Sequence, residues 1–337
     1  MKSRKLQCEF LSDDMSGVKL IELDLPEPGP EEILVRVKAS SVNFPDYLMT
    51  QGNYQHKPEL PFGLGMEGSG IIEKTGDNIS NFEAQDEVTF AALGQGAFSD
   101  YVLLGERAVE LKPSNLTFEQ AAAFQTAYLT AYVSLVRRGN LMQGETLLVH
   151  GSTGGVGMAA VQLGKYLGAK VIATGTSEEK LEHTKSWGAD HTILTHKNGK
   201  VEFREEVKDL TEGKGADVVY DPVGGDVFDQ SIRCINWGGR ILVVGFASGR
   251  IPSLPVNMAL IKGFSVIGVR AGEFGRKDPL AGKENNNAIR EICEAGHFYP
   301  HVCKEFNLNQ AKEAIQYLSE RKLIGKVVIK TDELTSS

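Results

Sequence analysis

The chain has 337 residues, a length that suggests two domains at about 150 residues each. Hydrophobic residues make up 41% and charged residues 24% of the chain, which excludes a disordered, collagenous or disulfide-stapled protein. Acidic residues outnumber basic ones by 44 to 36, and the resulting net charge of -8 argues against nucleic acid as the main partner.

The cysteines and the N-terminal residues indicate a compartment. Four cysteines lie far apart without a Cys-x-x-Cys pair, which is typical of reduced thiols rather than of a disulfide framework or a zinc ribbon. The first ten residues have no apolar core of the kind a secretory signal needs. The chain also has no uncharged stretch of about 18 apolar residues. We therefore expect a cytoplasmic protein without a membrane-spanning helix.

The first third of the chain predicts strands and turns. Residues 26–30 read Pro-Glu-Pro-Gly-Pro, a loop sequence, because closely spaced prolines resist both helix and ladder. From Ile33 to Ala39, apolar residues recur at every second position, as in a strand with one buried face. Further apolar runs are separated by Gly, Asp and Asn. The pattern predicts a small β-rich domain that ends near residue 125.

The pattern changes near residue 125, where strands and helices begin to alternate. A helix is predicted over 121–136, which is rich in Ala, Leu and Tyr and lacks proline. The predicted strands are short apolar runs of the kind covered on both faces, and repeated β-α units imply a parallel doubly wound sheet. Strands are predicted at 147–149, 170–174, 218–220, 241–244 and 266–269, and helices at 156–166 and 178–187. After about residue 270 the pattern is mixed, with helices near 288–295 and 310–321 and a last strand at 326–330.

The strongest chemical signal is the glycine-rich segment His150-Gly-Ser-Thr-Gly-Gly-Val-Gly157. It follows an apolar strand and opens a helix, the context that a dinucleotide fingerprint requires. Gly154 would let the backbone approach a pyrophosphate, and Gly157 would let the helix pack closely on the strand. Ser152 stands where the strict pattern has its first glycine. A plain β-α turn is the structural alternative, but the position at the start of the β-α units favours cofactor binding.

The end of the next predicted strand indicates which dinucleotide is bound. An NAD-binding domain usually has an acidic residue about 20 residues after the glycines, hydrogen-bonded to the ribose hydroxyls. Here the strand runs into Gly175-Thr176-Ser177 without a carboxylate, and Ser177 and Lys180 could accept a 2′-phosphate. Glu178 and Glu179 lie between them and suit the first turn of a helix. We therefore predict NADP(H) rather than NAD(H).

These residues, with other ordered motifs, resemble the zinc-independent branch of the medium-chain dehydrogenase/reductases, the NADPH:quinone oxidoreductases and their relatives. The resemblance covers nearly the whole chain. Its other markers are Ser41-Val42-Asn43 with Asp46 and Tyr47, Leu60-Pro61-Phe62, Gly65-Met66-Glu67-Gly68, Leu129-Thr130-Ala131, Gly188-Ala189-Asp190, Asp221-Pro222-Val223-Gly224-Gly225, Gly239-Arg240 to Gly245-Phe246 and Gly325-Lys326-Val327-Val328.

The resemblance implies an α/β fold of two domains. A central Rossmann domain with a doubly wound parallel sheet, residues 126–269, would be accompanied by a GroES-like, β-rich catalytic domain. That second domain would be built from residues 1–125 and 270–337, with the active site in the cleft between the two domains.

The resemblance also lets metal dependence be judged by position. Zinc-dependent relatives have a Cys near position 43 and a His before the Glu of a Gly-His-Glu motif, where this chain has Asn43 and Met66. Amide and thioether side chains are poor zinc ligands beside Cys and His. The four-Cys structural lobe is missing as well, so no zinc is expected.

The resemblance places site residues one by one. Asn43, Tyr47 and Thr130 would lie near the nicotinamide, with Phe246 and Ala247 flanking it and Val269 nearby. The segment with Ser152, Gly154, Gly155, Val156 and Gly157 would meet the pyrophosphate, and Thr176, Ser177 and Lys180 the 2′-phosphate. Relatives often have a Tyr by the adenosine phosphate where this chain has Thr195. The aromatic residues could also simply be packed.

The expected activity is hydride transfer from NADPH to a quinone or another activated enone. The cofactor carries that reaction, and the protein orients the reactants and excludes water, so the lack of an evident His/Asp/Ser triad is no obstacle. The alternative enzyme is a 2-enoyl thioester reductase in which Tyr54, in Gln51-Gly52-Asn53-Tyr54, donates a proton. A non-catalytic NADPH-binding or crystallin-like protein is the alternative of another class. A homodimer is also expected, paired through the apolar strand within residues 262–269.

Overall fold

The computed structural model describes residues 2–25, 27–197, 199–320 and 322–331. Pro26 of the predicted loop and Arg321 of the last predicted helix lie outside the described residues, as do the first residue and the last six. The strands are β1 (Lys2–Cys8), β2 (Val18–Asp24), β3 (Glu32–Val42), β4 (Phe62–Gly63), β5 (Glu67–Thr75), β6 (Glu87–Ala91), β7 (Tyr101–Gly105), β8 (Val109–Leu111), β9 (Thr146–Val149), β10 (Lys170–Gly175), β11 (His191–Leu194), β12 (His196–Lys197), β13 (Lys200–Val201), β14 (Ala216–Asp221), β15 (Ile235–Val243), β16 (Ser265–Gly268), β17 (Val302–Asn307) and β18 (Lys326–Lys330).

The helices alternate with strands mainly in the middle of the chain. They are α1 (Phe44–Thr50), α2 (Phe118–Ala122), α3 (Gln125–Tyr132), α4 (Gly155–Tyr166), α5 (Glu178–Ser186), α6 (Arg204–Leu210), α7 (Gly225–Cys234), α8 (Val256–Lys262), α9 (Ala271–Lys277), α10 (Pro279–Glu294) and α11 (Ala311–Ser319). A π-helical turn, Val133–Arg138, continues α3, and 3₁₀ turns occur at Glu106–Ala108 and Leu308–Gln310. Across the described ranges, no helix is both long enough and apolar enough to span a bilayer.

The chain divides into two compact units. Unit 1 runs up to Gln125 and resumes at Pro300, and unit 2 is Thr126–Tyr299. Unit 1 is β-rich, as predicted. Within its described residues, one sheet has the order β17-β18-β3-β5-β6-β8 with β7 also paired to β3, and a smaller sheet has the order β2-β1-β4. The alternating residues Ile33, Val35 and Val37 of β3 lie in one buried cluster, as predicted. The opposite face is not open to solvent as the alternation suggested, because Leu34 is buried as well and Arg36 and Lys38 are half-buried.

Unit 2 contains the predicted doubly wound sheet. Its strands pair in parallel in the order β11-β10-β9-β14-β15-β16. Leu148, Ile172, Val219 and Ile241, from four neighbouring strands, are buried in one cluster with residues of the covering helices. Apolar side chains throughout these strands are expected because helices cover both faces of a parallel sheet.

The return to the first unit comes later in the chain than the sequence suggested. Residues 270–299, assigned from the sequence to the β-rich domain, belong to unit 2, where α10 buries Ile289 and Cys293. Arg137 Nε donates to Asn285 Oδ1 of α10 at 2.7 Å, a contact within unit 2. The predicted helix 288–295 is only the last part of this 16-residue helix, because its first half is polar and Asn-rich and gave no apolar periodicity.

Candidate active site

The predicted cofactor residues of unit 2 gather at one edge of the parallel sheet. The carboxyl ends of parallel strands meet at the same edge, and dinucleotides bind where the strand order reverses. In this sheet the reversal lies at β9, which has β10 on one side and β14 on the other. The glycine-rich turn follows β9, Thr176 follows β10, and the segment 245–249 follows β15.

The glycine-rich turn has the geometry expected of a phosphate-binding turn. Gly151 has a positive φ of 56°, and Gly154 forms the N-cap of α4. A Cβ on Gly157 would lie 2.2 Å from the Gly151 carbonyl oxygen, so only glycine allows this close packing. A Cβ on Gly154 would meet only that same oxygen, at 3.5 Å. Gly154, Gly155 and Val156 are half-buried, and the first N–H groups of α4 point along the helix axis towards an anion.

Ser152 and His150 have their polar atoms engaged inside unit 2. Ser152 is fully buried, and its Oγ donates to the Thr174 carbonyl at 3.0 Å, which ties the turn to β10. The His150 ring nitrogens lie 2.8 Å from Thr174 Oγ1 and from Ser231 Oγ. Burial lowers the pKa of His150 to about 3, so the ring is neutral. Through these hydrogen bonds, both side chains hold the start of the glycine-rich turn to β10, and His150 also to α7.

The end of β10 offers hydroxyl groups at the start of α5. Thr176 is exposed, and Ser177 forms the N-cap of α5, where its Oγ accepts from the Lys180 N–H at 3.4 Å. Lys180 is half-buried one helical turn further on. The structure thus brings these three predicted residues together.

The segments after β14 and β15 are joined by backbone hydrogen bonds. The Ala247 N–H donates to the Pro222 carbonyl at 3.0 Å, and a Cβ on Gly224 would come within 3.0 Å of the Phe246 ring. Val269, after β16, donates its N–H to the carbonyl of Val243 at 2.9 Å. The predicted residues Phe246 and Ala247 therefore lie against the segment after β14, and Val269 lies beside the end of β15.

Asp221, the last residue of β14, holds the segment that follows this strand by hydrogen bonds. It is buried, and its Oδ1 accepts from the N–H groups of Val223 and Gly224 at 2.9 and 2.8 Å. Burial raises the pKa of this carboxyl to about 6.

Thr130, predicted to lie near the nicotinamide, is half-buried in α3, and its hydroxyl donates to the Thr126 carbonyl at 2.6 Å.

Unit 1 contains a buried charge cluster made of Asn43, Asp46, Glu67 and Lys326. The Lys326 ammonium donates to Asn43 Oδ1 at 2.6 Å and to Glu67 Oε1 at 3.1 Å. Asn43 Nδ2 donates to Glu67 Oε1 at 2.9 Å and to the Ser41 carbonyl at 3.2 Å. An amide NH₂ has two hydrogens. Both donors of Asn43 are therefore used within unit 1, and this side chain serves to hold the charge cluster in place.

Asp46 connects the charge cluster to two backbone segments. Its Oδ2 accepts from the Asn43 N–H at 2.8 Å and its Oδ1 from the Gly65 N–H at 3.2 Å. Burial raises the pKa of Asp46 to about 7, with neighbouring Glu67 raising it further and Lys326 opposing the shift. The first turn of α1 and the segment before β5 are thereby held to one carboxyl group.

The predicted residues Tyr47 and Tyr54 lie in a half-buried apolar surface, together with Met66 and with Leu93, which was not predicted. Tyr47, Tyr54, Met66 and Leu93 are half-buried and pack against the same hydrophobic core. The Tyr47 and Phe44 rings lie 6.2 Å apart, centroid to centroid. Such a surface suits an apolar or aromatic ligand.

The donor set around Glu67 does not fit a zinc ion. An amide and an ammonium group contact this carboxylate, whereas zinc in proteins prefers Cys, His and carboxylate ligands. In the described ranges no group of three His, Cys, Asp or Glu residues could hold a metal ion.

Comparison with known proteins assigns the family. Residues 29–114 match the alcohol dehydrogenase GroES-like domain, and residues 155–282 match the family described as zinc-binding dehydrogenase. A quinone oxidoreductase-like protein 2 homolog from Nematostella vectensis is 38% identical over 90% of this chain and 83% of its own length. The chain belongs to the quinone oxidoreductase-like medium-chain dehydrogenase/reductases. It is an oxidoreductase with a GroES-like domain and a nucleotide-binding domain, as predicted.

Two more members of the family extend the comparison. A quinone oxidoreductase from Pseudomonas aeruginosa is 34% identical over 90% of this chain and 92% of its own. The quinone oxidoreductase of Escherichia coli, solved in complex with NADPH, is 27% identical with a TM-score of 0.86, covering 97% of this chain and 99% of that one.

The roles of Asp46, Glu67 and Lys326 in this medium-chain reductase were not predicted from the sequence. Each lies in a motif that carried the resemblance, but no local pattern joins Lys326 to Asn43 across 283 positions. One signal was present in the sequence: Lys326 directly precedes three apolar residues, Val327 to Ile329. In the structure Lys326 is 5% exposed, and a lysine so buried needs a partner.

Proposed function

We propose that this chain is a zinc-independent reductase that transfers hydride from NADPH to a quinone or another activated enone. The observation that carries the proposal is the ammonium group of Lys326 beside Glu67 and Asn43, in place of a set of metal ligands. The names of the relatives support the same substrate class.

The cofactor assignment rests on the edge of the parallel sheet. The tight turn at Gly151–Gly157 and the N-terminus of α4 suit a pyrophosphate, and Thr176, Ser177 and Lys180 suit a 2′-phosphate. The Escherichia coli relative was solved with NADPH. When bound, NADPH supplies the hydride, and the residues of this chain orient it.

The class of hydride acceptor is inferred from the charge cluster, whose residues do not form a set of metal ligands. Reduction of a simple carbonyl develops a localised negative charge on oxygen, which enzymes stabilise with a metal or an aimed acid. A quinone or conjugated enone delocalises that charge, so its reduction requires less stabilisation of negative charge by the protein. The half-buried apolar side chains of Tyr47, Met66 and Leu93 suit the binding of such a planar, weakly polar acceptor.

Tyr54 is the residue that separates the two enzymatic alternatives. It is half-buried on the same apolar surface as Tyr47. For an enoyl thioester it would donate a proton to the α-carbon. For a quinone no carbon is protonated, and the proton goes to oxygen, so water can supply it.

Consumption of NADPH tests the proposal, with a quinone panel and crotonyl-CoA as parallel substrates and Tyr54→Phe beside the wild type. We expect turnover with quinones, little change in Tyr54→Phe, and no effect of chelator. Turnover of crotonyl-CoA alone, abolished in Tyr54→Phe, would support the enoyl thioester reductase. NADPH binding without turnover of any acceptor would support a non-catalytic role. Stoichiometric zinc in the purified protein would overturn the zinc-independent assignment.

We also propose that the protein is a homodimer joined at β16. This strand ends the parallel sheet, and no other described strand pairs with its outer side. Exposed apolar side chains lie near it, among them Trp237 at 75% and Leu260 at 82% exposure. An open apolar strand edge favours pairing with a second copy across a two-fold axis. Light scattering should give the mass of a dimer for the wild type. Leu260→Glu should shift the mass towards that of the monomer. A wild type that is monomeric at micromolar concentration contradicts the proposal.

We propose a cytoplasmic location, and the state of the four cysteines is the evidence for it. Cys8, Cys234 and Cys293 are buried, Cys303 is half-buried, and all four are free thiols. Free thiols persist in a reducing compartment. Fractionation of the native cells should recover the protein with cytoplasmic markers.

A further inference from the structure

Gln162 is a buried polar side chain in α4, the helix that begins at the glycine-rich turn. It is 4% exposed, and the residues of this helix from Gly157 to Gly164 are all buried. An α-helix rises about 1.5 Å per residue, so Gln162 lies about 10 Å along the axis from Gly155. A buried amide needs hydrogen-bond partners, and those partners show what this side chain holds in place.

The amide of Gln162 binds both ends of unit 2. Its Oε1 accepts from the hydroxyl of Tyr128 at 2.8 Å, and Tyr128 lies in α3, where unit 2 begins. The same oxygen accepts from the N–H of Tyr299 at 2.8 Å, and Nε2 donates to the Tyr299 carbonyl at 3.1 Å. Tyr299 is the last residue of the unit. One side chain therefore connects α4 to α3 and to the end of unit 2.

The partners of the amide fix its orientation. A backbone N–H can only donate and a carbonyl can only accept, so Oε1 faces the first group of Tyr299 and Nε2 the second. Burial raises the pKa of the Tyr128 hydroxyl well above its ordinary value, so this hydroxyl keeps its proton and donates it. An apolar side chain or an ionised carboxylate at position 162 could not form the same three hydrogen bonds.

The packing around the amide shields these hydrogen bonds from water. The rings of Tyr128 and Phe298 lie 4.5 Å apart, centroid to centroid, and both side chains are fully buried. Cys293 of α10 lies with its Sγ 3.9 Å from the Phe298 carbonyl oxygen. Burial raises the pKa of the Cys293 thiol to about 12, so this thiol and the Tyr128 hydroxyl are both uncharged. Hydrogen bonds are strong in such surroundings.

We infer that Gln162 is a positioning residue for hydride transfer, because it sets the spacing between α4, which begins at the pyrophosphate turn, and α3, which carries Thr130. The inference rests on the proposed function, in which Thr130 lies near the nicotinamide. Pyrophosphate and nicotinamide belong to one molecule, so the spacing of the two helices decides how accurately the nicotinamide is placed. An error of about 1 Å in the position of reacting atoms can slow a reaction about 100-fold. Loss of these hydrogen bonds should therefore lower the rate of hydride transfer more than the affinity for NADPH.

Two variants test this role. Tyr128→Phe removes one hydrogen bond and leaves Oε1 of Gln162 paired with the Tyr299 N–H. Gln162→Glu tests the amide itself, because a protonated carboxyl group has a donor and an acceptor, as the amide has, whereas a carboxylate has only acceptors. Tyr166→Phe is the matched control, because Tyr166 lies on α4, is 46% exposed and keeps its ring contact with His297.

The experiment measures hydride transfer in a single turnover. Each protein is saturated with NADPH and mixed with a quinone, and stopped-flow absorbance follows the oxidation of NADPH. Fluorescence titration gives the Kd of NADPH, and melting temperatures show that each variant is folded under the assay conditions.

We expect Tyr128→Phe to slow hydride transfer about tenfold while the Kd of NADPH changes less than about threefold, and Tyr166→Phe to behave like the wild type. The rate of Gln162→Glu relative to the wild type should fall as the pH rises from about 6 to about 9, because a buried carboxyl group ionises in this range. Equal losses in rate and affinity would show that Gln162 only stabilises the fold.

A wild-type rate in Tyr128→Phe overturns the inference, as does a folded Gln162→Glu whose rate relative to the wild type does not change with pH. A wild type that binds NADPH but reduces no quinone or enone overturns the proposed function, and the inference with it.

Discussion

The Lys326 ammonium lies 2.6 Å from Asn43 Oδ1 and is held in the same network by Glu67 Oε1 at 3.1 Å. Lys326 is 5% exposed and Glu67 is 1% exposed, so this pair is isolated from solvent. A buried ion pair is stable only while both partners and their hydrogen bonds are present. The charge cluster is thus one cooperative unit in the core of unit 1.

Lys326→Met should destabilise the protein strongly, because it leaves the Glu67 carboxylate buried without a counter-charge. The expected loss in the free energy of unfolding is about 3–5 kcal/mol. In the double variant Lys326→Met/Glu67→Gln the uncompensated charge is gone, so much of the loss should be recovered. Urea denaturation of the two single variants and the double variant gives the coupling energy. Additive losses in the double variant would show that the pair does not act as a unit.

Gly154→Ala and Gly157→Ala should both weaken NADPH binding, but only Gly157→Ala should destabilise the fold. At Gly157 a Cβ would lie 2.2 Å from the Gly151 carbonyl oxygen, so Gly157→Ala should lower the melting temperature and weaken NADPH binding. At Gly154 the nearest atom to a Cβ is 3.5 Å away, so Gly154→Ala should melt like the wild type. It should still raise the Kd of NADPH, since the added methyl group occupies the approach of the pyrophosphate. Wild-type affinity in Gly154→Ala would contradict this placement.

Asp46 should make stability fall as the pH rises. Its pKa is raised to about 7 in the folded protein and is about 3.9 when unfolded, so the folded state holds an extra proton between these values. Stability from this group is present below about pH 4 and is lost as the pH rises towards 7. The loss is on the order of 4 kcal/mol.

The comparison of wild type with Asp46→Asn isolates this contribution. His150, whose pKa is lowered to about 3, acts in the opposite direction over much of the same range, and the comparison cancels its effect. Urea unfolding at several pH values should show a wild-type stability that falls relative to Asp46→Asn from pH 4 to 7. Parallel profiles would show that Asp46 is ionised throughout.

Lys180→Ala should reduce the preference for NADPH over NADH. A lysine near Ser177 can form a charge-assisted hydrogen bond to a 2′-phosphate, worth about 1.5–3 kcal/mol, so the ratio of kcat/KM values should fall tenfold or more. Glu178 and Glu179 in the same turn reduce the starting preference. Lys185→Ala is the matched control, because Lys185 lies on α5 and pairs with Glu182. A wild type that prefers NADH, or an unchanged ratio in Lys180→Ala, would show that the assignment is wrong.

The sequence by itself determined the features that depend on local pattern. The alternation from Ile33 to Ala39 predicted a strand with one buried face, and the short apolar runs from residue 147 onward predicted the doubly wound sheet. The strand and the sheet were correct, because side-chain periodicity and burial on both faces of a sheet are properties of a few consecutive residues. The single buried face of the strand was wrong, because Leu34 on its other face is buried too. The glycine-rich turn was recognisable for the same reason, since Gly151, Gly154 and Gly157 lie within one β-α connection.

Only the tertiary structure decided the relationships between distant residues. Lys326 and Asn43 are 283 positions apart, and Thr195 reaches Gly175 from the position after β11, so neither contact has a local pattern. Ser152 fits a phosphate turn by its position, yet its hydroxyl is donated to the backbone of β10. The polar first half of α10 contacts the rest of unit 2 through Arg137, by a partly buried hydrogen bond to Asn285 that leaves no apolar pattern in the sequence. Buried polar groups need partners, and those partners come from whichever segments the fold brings together.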